Sequence, residues 1–366
     1  TATAAAAVVA AATATATATA AAAVSAVGAV TEAQGGASSF SSEEQRLVRE
    51  LRRRVSDLVA SSMEARWLLA DGDFTLHRFL VSRGFDLDRA EAMFRDSVAW
   101  RSRTEIRKQL QAWRSGERGE GPHLANSSGA AALEVSLADD YFYATRFGEV
   151  AGTGQPLNVE LLGHFDGAGV SRVPGMSALV VKAYLLHLEQ TFQAVREASM
   201  RQDRYIRCHV VVDASGLTLS QLRDAVQLLQ AVASTGQRYF PELVESISVV
   251  RASWVFSAVW TAVRWILSEG VQAKVQVLRP DFLAHLEASG IPRASLPRLL
   301  GGDADDAGLR IPQAVPSDLK VPASVESFLE ASGVHHDGAA AASSAATTTV
   351  APGRRGGAAA AGGVAG

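Results

Sequence analysis

Apolar residues recur at helical spacing in the first part of the chain with a mixed composition. Ser41, followed by Glu44 three residues later, matches the capping-box pattern that starts a helix. Farther along, Asp86 or Asp88 stands where it can cap a second long helix. Residues 41–114 are therefore predicted to form a small helical module. The apolar positions of its first helix are Leu47, Leu51, Val55, Leu58 and Val59.

The larger part of the chain alternates short β-branched runs with longer helical stretches. This alternation predicts an α/β fold with a mostly parallel sheet flanked by helices. The runs at 210–212 and 249–250 are continuously apolar, which is expected of strands whose two faces are both covered. The predicted strands are 157–162, 209–212, 247–250 and 275–278, and the predicted helices are 178–195, 219–232 and 254–269.

Composition marks off the two ends and divides the middle. Alanine and threonine contribute little apolar transfer energy, so no membrane span is predicted in the first segment. That segment also lacks the basic start of a secretory signal, although the chain begins with Thr1 and a targeting segment could precede it. The predicted divisions are a low-complexity tail at 1–40, the module at 41–114, a Gly/Ser/Asn-rich linker at 115–138, the larger domain at 139–302, a C-terminal extension at 303–337 and a second low-complexity tail at 338–366.

Charge and cysteine content narrow the function classes. The 366 residues are 48% hydrophobic, with 35 basic and 38 acidic side chains. Because this balance lacks the excess of positive charge of a general nucleic-acid binder, nucleic acid is not predicted as a partner. Cys208 is the only cysteine, which excludes an internal disulfide and any multi-cysteine metal site. We predict a cytoplasmic protein without a metal or other cofactor.

The sequence lacks the common motifs of α/β enzymes. No Gly-x-Gly-x-x-Gly follows a strand, and there is no Gly-Lys-Ser/Thr phosphate loop. The segment from Gly175 to Ser177 lacks the second glycine of a nucleophile elbow. No catalytic residue is therefore predicted. The remaining candidate groups are isolated pairs that we interpret as structural or solvated: His164 with Asp166, Cys208 with His209 on opposite strand faces, and His335 and His336 with Asp337.

An ordered set of segments resembles one known family over about 230 residues. Each segment is weak evidence alone, but the order and the spacing together are specific. The segments are DFTLHRFLVSRGFD at 73–86, GQPLNVELLG at 154–163, EQTF at 189–192, VDASGL at 212–217, FPE at 240–242, KVQVL at 274–278 and the stretch 296–302 ending in two glycines. In this arrangement the chain resembles the CRAL-TRIO family, whose best-known members are phosphatidylinositol and phosphatidylcholine transfer proteins of the yeast secretory type.

The resemblance implies a pocket between sheet and helices that encloses one lipid and is closed by a mobile gate helix. The 254–269 segment is apolar nearly all round, which is typical of a fully buried helix and is also what a gate requires. The implied function is non-enzymatic binding and transfer of a phospholipid, with phosphatidylinositol favoured, at membranes. The implied gate residues are Phe256, Val259, Trp260, Val263 and Leu267.

The same resemblance implies headgroup contacts by Arg78, Glu242 and Lys274. Lysine is uncommon in this chain, since only 4 of the 35 basic residues are lysine. Its presence at 274 therefore supports the implied headgroup contact. Departures from the family pattern leave the ligand open: Leu243 replaces an arginine, Arg251 an asparagine and Trp254 a proline, while Cys208 and Val210 replace hydroxyl residues used for phosphatidylcholine. The alternatives are a carrier of a tocopherol-like or retinoid-like hydrophobe and, from another class, an α/β enzyme.

Peripheral membrane contact is the last expectation. The first predicted helix carries five arginines that could meet anionic lipid. Its own acids, Glu43, Glu44 and Glu50, could equally neutralise them in an ordinary solvated helix. These arginines are Arg46, Arg49, Arg52, Arg53 and Arg54.

Overall fold

A computed structural model describes most of the two mixed-composition parts of the chain. The described residues are 40–117, 128–218, 232–253 and 269–334, together with Phe256 and Trp260; side chains are described for 40–114 and from 133 onward within these ranges. Both predicted low-complexity tails lie outside the described residues, apart from Phe40. So do the predicted helix at 219–232, except its last residue, and most of the predicted gate helix.

The helical module begins as predicted. Its helices are α1 (Ser42–Arg54), α2 (Ser56–Ser61), α3 (Met63–Leu68), α4 (Phe74–Val81), α5 (Leu87–Thr104) and α6 (Ile106–Glu117). The Ser41 hydroxyl accepts a hydrogen bond from the Glu44 amide at 3.2 Å, and Glu44 Oε2 accepts one from the Ser41 amide at 2.8 Å, which completes a capping box before α1. Asp86, rather than Asp88, caps α5 by accepting a hydrogen bond from the Arg89 amide.

The first apolar stripe is divided between two helices. α1 ends at Arg54 and α2 begins at Ser56, so Val55 lies between them. Leu51 and Val55 are nevertheless fully buried in the same core. The helical spacing predicted the buried face correctly and missed the break in the backbone.

Half of the predicted linker at 115–138 is a packed helix. α6 continues to Glu117, and α7 (Ser128–Tyr141) occupies the second half of the segment. Alanine is the strongest helix former, and the alanines at 130–132 outweigh the glycine and serines that suggested a loop. Glu134 on α7 forms a buried ion pair with Lys182 at 2.6 Å. The linker prediction is therefore corrected for this half.

The described strands form one five-stranded sheet in the order β1-β2-β3-β4-β5. Its strands are β1 (Ala144–Glu149), β2 (Pro156–Glu160), β3 (Cys208–Asp213), β4 (Val244–Val250) and β5 (Val275–Val277). β1 pairs with β2 antiparallel, and all other pairs are parallel, which confirms the predicted mostly parallel α/β fold. The sequence did not predict β1, because its six residues include Gly148 and sit beside a register shift.

Helices flank the sheet. They are α8 (Gly167–Arg172), α9 (Met176–Gln202), a helical segment at 232–239, α10 (Glu269–Gln272), α11 (Phe282–Ala288) and α12 (Ser324–Ser332). Trp100 donates from Nε1 to the Ser332 carbonyl at 3.0 Å, which fastens the C-terminal extension to the helical module. Within the described ranges, no helix combines the length and the apolar character needed to cross a bilayer.

Strand alternation gives the sheet two chemically different faces. The outer face carries Leu157, Val159, Val211 and Val250, which pack with α11 in one hydrophobic cluster. The inner face turns toward α9 and the helical module, whose apolar residues belong to the larger cluster. Its positions in β2, β3 and β4 are Asn158, Glu160, Cys208, Val210, Val212, Ile247 and Val249.

Candidate functional site

Charged residues from separate parts of the chain converge at one edge of the sheet. Arg207 directly precedes β3, Glu242 and Glu245 flank the start of β4, and Lys274 directly precedes β5. Because these strands are parallel, their N-terminal ends lie side by side at the same edge. We call these residues, together with Arg78 of α4, the mouth cluster.

Glu242 lies at the centre of the mouth cluster. Lys274 Nζ lies 2.9 Å from Glu242 Oε2, and Arg207 Nη1 lies 3.3 Å from the same oxygen. Arg207 also pairs with Glu245 at 2.5 Å. The Lys274 and Glu242 side chains keep 19% and 20% of their surface exposed, so a ligand can reach both.

Arg78 contacts the mouth cluster from the protein interior. It is fully buried and donates a hydrogen bond from Nη1 to the Glu242 carbonyl at 2.6 Å. It also donates from Nη2 to Ser199 Oγ at 3.3 Å and to the Ile206 carbonyl. These bonds tie the starts of β3 and β4 to α4. In the structure Arg78 bonds to the protein itself, and its predicted headgroup contact stays a prediction.

The backbone of Glu242 is strained in a way that Arg78 stabilises. Its φ of 52° lies in the left-handed region that non-glycine residues rarely adopt. The hydrogen bond from Arg78 fixes the Glu242 carbonyl in this conformation and directs the carboxylate toward Lys274. The structure therefore brings together all three predicted residues, Arg78, Glu242 and Lys274.

The aromatic ring of Tyr205 contacts both arginines of the mouth cluster. The guanidinium carbons of Arg78 and Arg207 lie 4.7 Å and 5.8 Å from the centroid of the Tyr205 ring. Burial raises the pKa of Tyr205 to about 12, so its hydroxyl stays neutral. Burial alone would lower the pKa of Arg207, but the carboxylates of Glu245 and Glu242 raise it overall. Arg207 is therefore a permanent cation at the mouth.

Sequence reasoning missed Arg207 and Glu245. Their signal was present, since each stands at the start of a predicted parallel strand, beside residues that were singled out. Of the departures from the family pattern, Leu243 is buried in the core rather than placed at the mouth. Arg251 makes a two-pronged pair with Asp213 at 2.9 Å and 2.5 Å. Its φ of 52° explains why asparagine, which tolerates this conformation, suits that position.

Three polar side chains lie together beside the inner face of the sheet: Tyr143, Glu160 and Tyr184. Burial shifts the pKa values of Tyr143, Glu160 and Tyr184 strongly upward, which shows that protein surrounds them. All three nevertheless keep accessible surface. Partly buried apolar residues accompany them: Leu162, Leu188, Ile247 and Trp260.

Only two predicted gate residues lie within the described chain. Phe256 is buried in the larger hydrophobic cluster, and Trp260 is half-buried against it. The side chains of Val259, Val263 and Leu267 lie outside the described residues. Phe256 and Trp260 therefore contribute apolar surface to the larger cluster, and the gating role of the segment stays a prediction.

The isolated polar pairs have structural contacts. Cys208 lies on the inner face, while His209 on the opposite face makes a 2.8 Å hydrogen bond with Ser246, which confirms the predicted alternation. Asp166 caps α8 and accepts a hydrogen bond from the Val315 amide at 3.0 Å. His164 lies 3.8 Å from Asp213, whose carboxylate already pairs with Arg251. The triplet at 335–337 is outside the described residues.

Acidic neighbours pair with most of the arginines of α1. Arg46 pairs with Glu43, and both Arg53 and Arg54 pair with Glu50. Arg52 pairs with Asp73. The structure therefore agrees better with an ordinary helix whose arginines are neutralised by acids than with a free basic surface. Membrane contact by α1 stays a prediction.

Comparison with known proteins adds independent information. Residues 153–302 match the CRAL/TRIO domain model. The chain is 28% identical over 232 residues to the phosphatidylinositol/phosphatidylcholine transfer protein SFH11 of Arabidopsis thaliana, covering 63% of this chain and 56% of that protein. It is 28% identical over 234 residues to Protein real-time of Drosophila melanogaster, covering 62% and 32%. It is 23% identical over 240 residues to the Sec14 cytosolic factor of Schizosaccharomyces pombe, covering 64% and 76%.

The matches cover the described core and only part of each relative. The chain spans about half of the SFH11 length and about a third of Protein real-time. The solved structure of Sfh5 aligns with a TM-score of 0.42 at 13% identity, covering 80% of this chain and 97% of that chain. The matched domain contains β2 to β5, the inner face and every residue of the mouth cluster except Arg78. The family resemblance is thus confirmed: this chain carries a CRAL/TRIO domain at residues 153–302.

Proposed function

We propose that this chain binds one phospholipid molecule, with phosphatidylinositol as the favoured ligand, and exchanges it at cytoplasmic membrane surfaces without covalent chemistry. The observation that carries the proposal is the mouth cluster, which brings partly exposed charged side chains together at one edge of the sheet, beside a mostly apolar inner face. The relative SFH11 is named as a phosphatidylinositol/phosphatidylcholine transfer protein, which supports a phospholipid as the ligand class.

The charge of the mouth cluster suits a phosphodiester. Its cations are Arg78, Arg207 and Lys274, and its anions are Glu242 and Glu245, so one positive charge remains uncompensated. A phosphodiester carries one negative charge and accepts charge-assisted hydrogen bonds from lysine and arginine. The carboxylates of Glu242 and Glu245 then accept hydrogen bonds from inositol hydroxyl groups. A headgroup without hydroxyls offers no such donors.

The apolar interior explains why exchange needs no chemical energy. A two-chain lipid has about 30 methylenes, and exposing them to water at about 0.8 kcal/mol each costs on the order of 20 kcal/mol. An interior lined by leucine, valine and aromatic side chains replaces the bilayer as solvent for these chains. Binding and release then nearly balance, so opening of the interior sets the rate.

Vesicle-to-vesicle transfer of phosphatidylinositol and phosphatidylcholine tests the proposal. Lys274→Ala removes a charge-assisted hydrogen bond to the phosphate, so we expect phosphatidylinositol transfer to fall about tenfold. Lys108→Ala is the matched control, because Lys108 is an exposed lysine of α6 paired with Glu105. We expect the control to transfer normally and both variants to melt near the wild-type temperature. Absence of phosphatidylinositol transfer by the wild type, or undiminished phosphatidylinositol transfer by Lys274→Ala, contradicts the proposal.

A further inference from the structure

A groove opens on the surface where α3, α6 and α9 meet, and we call it the helix groove. Its volume of about 560 Å³ lies within the usual range for binding pockets, about 300 to 1,000 Å³. α6 lines it from Arg107 to Arg114, and α9 lines it from Gln193 to Met200. Each of these stretches spans two helical turns, so the groove runs roughly 10 Å along the helices. Its described lining includes no residue of the mouth cluster.

Trp67 gives the helix groove a rigid aromatic surface. The centroid of its ring lies 3.8 Å from the guanidinium carbon of Arg196 and 4.6 Å from that of Arg107. Arg196 also donates from Nη2 to the Trp67 carbonyl at 2.6 Å and from Nε to Asp71 at 3.0 Å. These contacts hold the half-buried ring in place before any partner binds. Tryptophan and arginine are the residues most enriched among those that contribute most of the binding energy in protein interfaces.

Two methionines border the helix groove and are exposed to solvent. Met63 is 68% exposed and Met200 is 47% exposed, and they are two of the six large apolar side chains exposed in the described chain. The other two methionines, Met93 and Met176, are buried in the core. An unbranched methionine side chain adapts its shape to an apolar partner. The groove therefore combines a fixed aromatic surface with an adaptable apolar border.

The helix groove carries a net positive charge. Three of its cations lie on α6, whose lining residues include no acid. Arg107 pairs with Glu64 at 2.8 Å, and Lys108 pairs with Glu105. Because these ion pairs keep contact with water, each contributes little stability and can also accept a further carboxylate. The charged lining side chains give a net charge of +2: Arg107, Lys108, Arg114 and Arg196 with Glu64 and Glu197.

Shape and charge distinguish between the possible occupants. A bilayer is nearly flat on this scale, so it would cover the two methionines and leave the concave surface around Trp67 unfilled. The two ends of this chain do not complement the charge, since residues 1–31 carry no charged side chain and residues 338–366 carry only Arg354 and Arg355. An α-helix is a rod about 10 Å across, and about two turns of it match the length of the groove.

We propose that the helix groove is a docking site for an acidic amphipathic helix of a partner protein. The apolar side of that helix packs on Trp67, Met63 and Met200, and its carboxylates meet the cations of α6. Helical spacing requires apolar residues at i, i+4 and i+7 of the partner, with Asp or Glu beside them. The site goes beyond lipid transfer and does not depend on which lipid the chain carries.

Binding of a designed peptide to the full chain tests the site by fluorescence anisotropy. The probe is a hydrocarbon-stapled helix of about 12 residues with leucine at i, i+4 and i+7 and glutamate beside them. We expect it to bind about tenfold more tightly at low salt than the same peptide with lysine in place of glutamate, and we expect this preference to shrink at high salt. Equal binding of the two peptides, or binding of neither, overturns the proposal.

A matched pair of surface variants tests the location. Met200→Glu places a negative charge in the groove and should weaken binding of the acidic peptide about tenfold. Ile311→Glu is the control, because Ile311 is 48% exposed and lies outside the groove lining, and it should bind the peptide as the wild type does. Both variants should melt near the wild-type temperature. Equal binding by Met200→Glu and the wild type overturns the proposal.

Methyl NMR of the chain labelled with carbon-13 at the methionine methyl groups gives a second readout. The acidic peptide should shift the signals of Met63 and Met200 and leave those of the buried Met93 and Met176 in place. Two further outcomes identify a different occupant and overturn the proposal. One is binding of anionic vesicles, in place of the peptide, that Met200→Glu abolishes. The other is a dimer of this chain that the same variant dissociates in sedimentation experiments.

Discussion

The mouth cluster lies at one end of the inner face, and Glu160 lies at the far end, where β2 stops. The two ends stabilise their polar side chains by different means. At the mouth cluster, Arg207 and Lys274 pair with Glu242 and Glu245 at distances of 2.5 Å to 3.3 Å. At the far end, Glu160 has only a tyrosine hydroxyl at 3.4 Å, and burial moves its pKa to about 7. The difference teaches that a carboxylate keeps its charge where a cation supports it and gains a proton where none does.

Removal of the Arg78 side chain should cause the largest loss of stability at the mouth cluster. Arg78→Ala leaves the carbonyls of Glu242 and Ile206 without their donor and opens a cavity in a fully buried site. We expect the free energy of unfolding to fall by about 3 kcal/mol in urea titrations followed by circular dichroism. Arg53→Ala, at an exposed arginine of α1 paired with Glu50, is the control and should change it by less than about 1 kcal/mol. Equal small effects would show that Arg78 does not organise the cluster.

The pH dependence of stability should sharpen the contrast at the far end. The pKa of Glu160 is raised from 4.5 to about 7, so the folded state holds a proton that the unfolded state releases. The bound proton therefore stabilises the folded state at low pH, and this stabilisation is lost as pH rises through about 7. Relative to wild type, Glu160→Gln should gain about 2 kcal/mol of unfolding free energy between pH 5 and pH 8. A constant difference across this range would contradict the neutral carboxyl group.

The pH dependence of stability should have the opposite sign at His187 on α9. Burial lowers its pKa to about 3, and neither ring nitrogen has a hydrogen-bond partner in the described structure. Its contribution to stability is present above pH 6.5 and is lost as pH falls toward the folded pKa. His187→Phe should therefore unfold with about 2 kcal/mol more free energy than wild type at pH 5 and with little difference at pH 8. Destabilisation that is equal at both pH values would indicate poor packing of phenylalanine instead.

Local signals predicted much of the fold. Ser41 and Asp86 cap helices as expected, because capping depends on residues only three positions apart. The parallel strands followed from β-branched runs that are buried on both faces. The antiparallel β1 and helix α7 were missed because tertiary pairing and packing, through Ala144 with Glu160 and Glu134 with Lys182, decide their structure.

The candidate site was predicted in part. The family resemblance singled out Arg78, Glu242 and Lys274, and the structure brings them together. It could not reveal that Arg78 is fully buried or that Arg207 shares Glu242, since both facts depend on how strand ends meet. Glu160 carried no signal in the sequence, because an acid at the end of a strand is usually solvated. Its importance follows from the absence of a nearby cation among the described residues.

Identification of the lipid that copurifies with the protein tests the central claim most directly. Mass spectrometry of an organic extract, quantified against protein, measures both the identity of the lipid and its ratio to the chain. The account predicts close to one phospholipid per chain, enriched in phosphatidylinositol relative to the source membrane. Protein that carries no lipid, or lipids in the proportions of the source membrane, would contradict it.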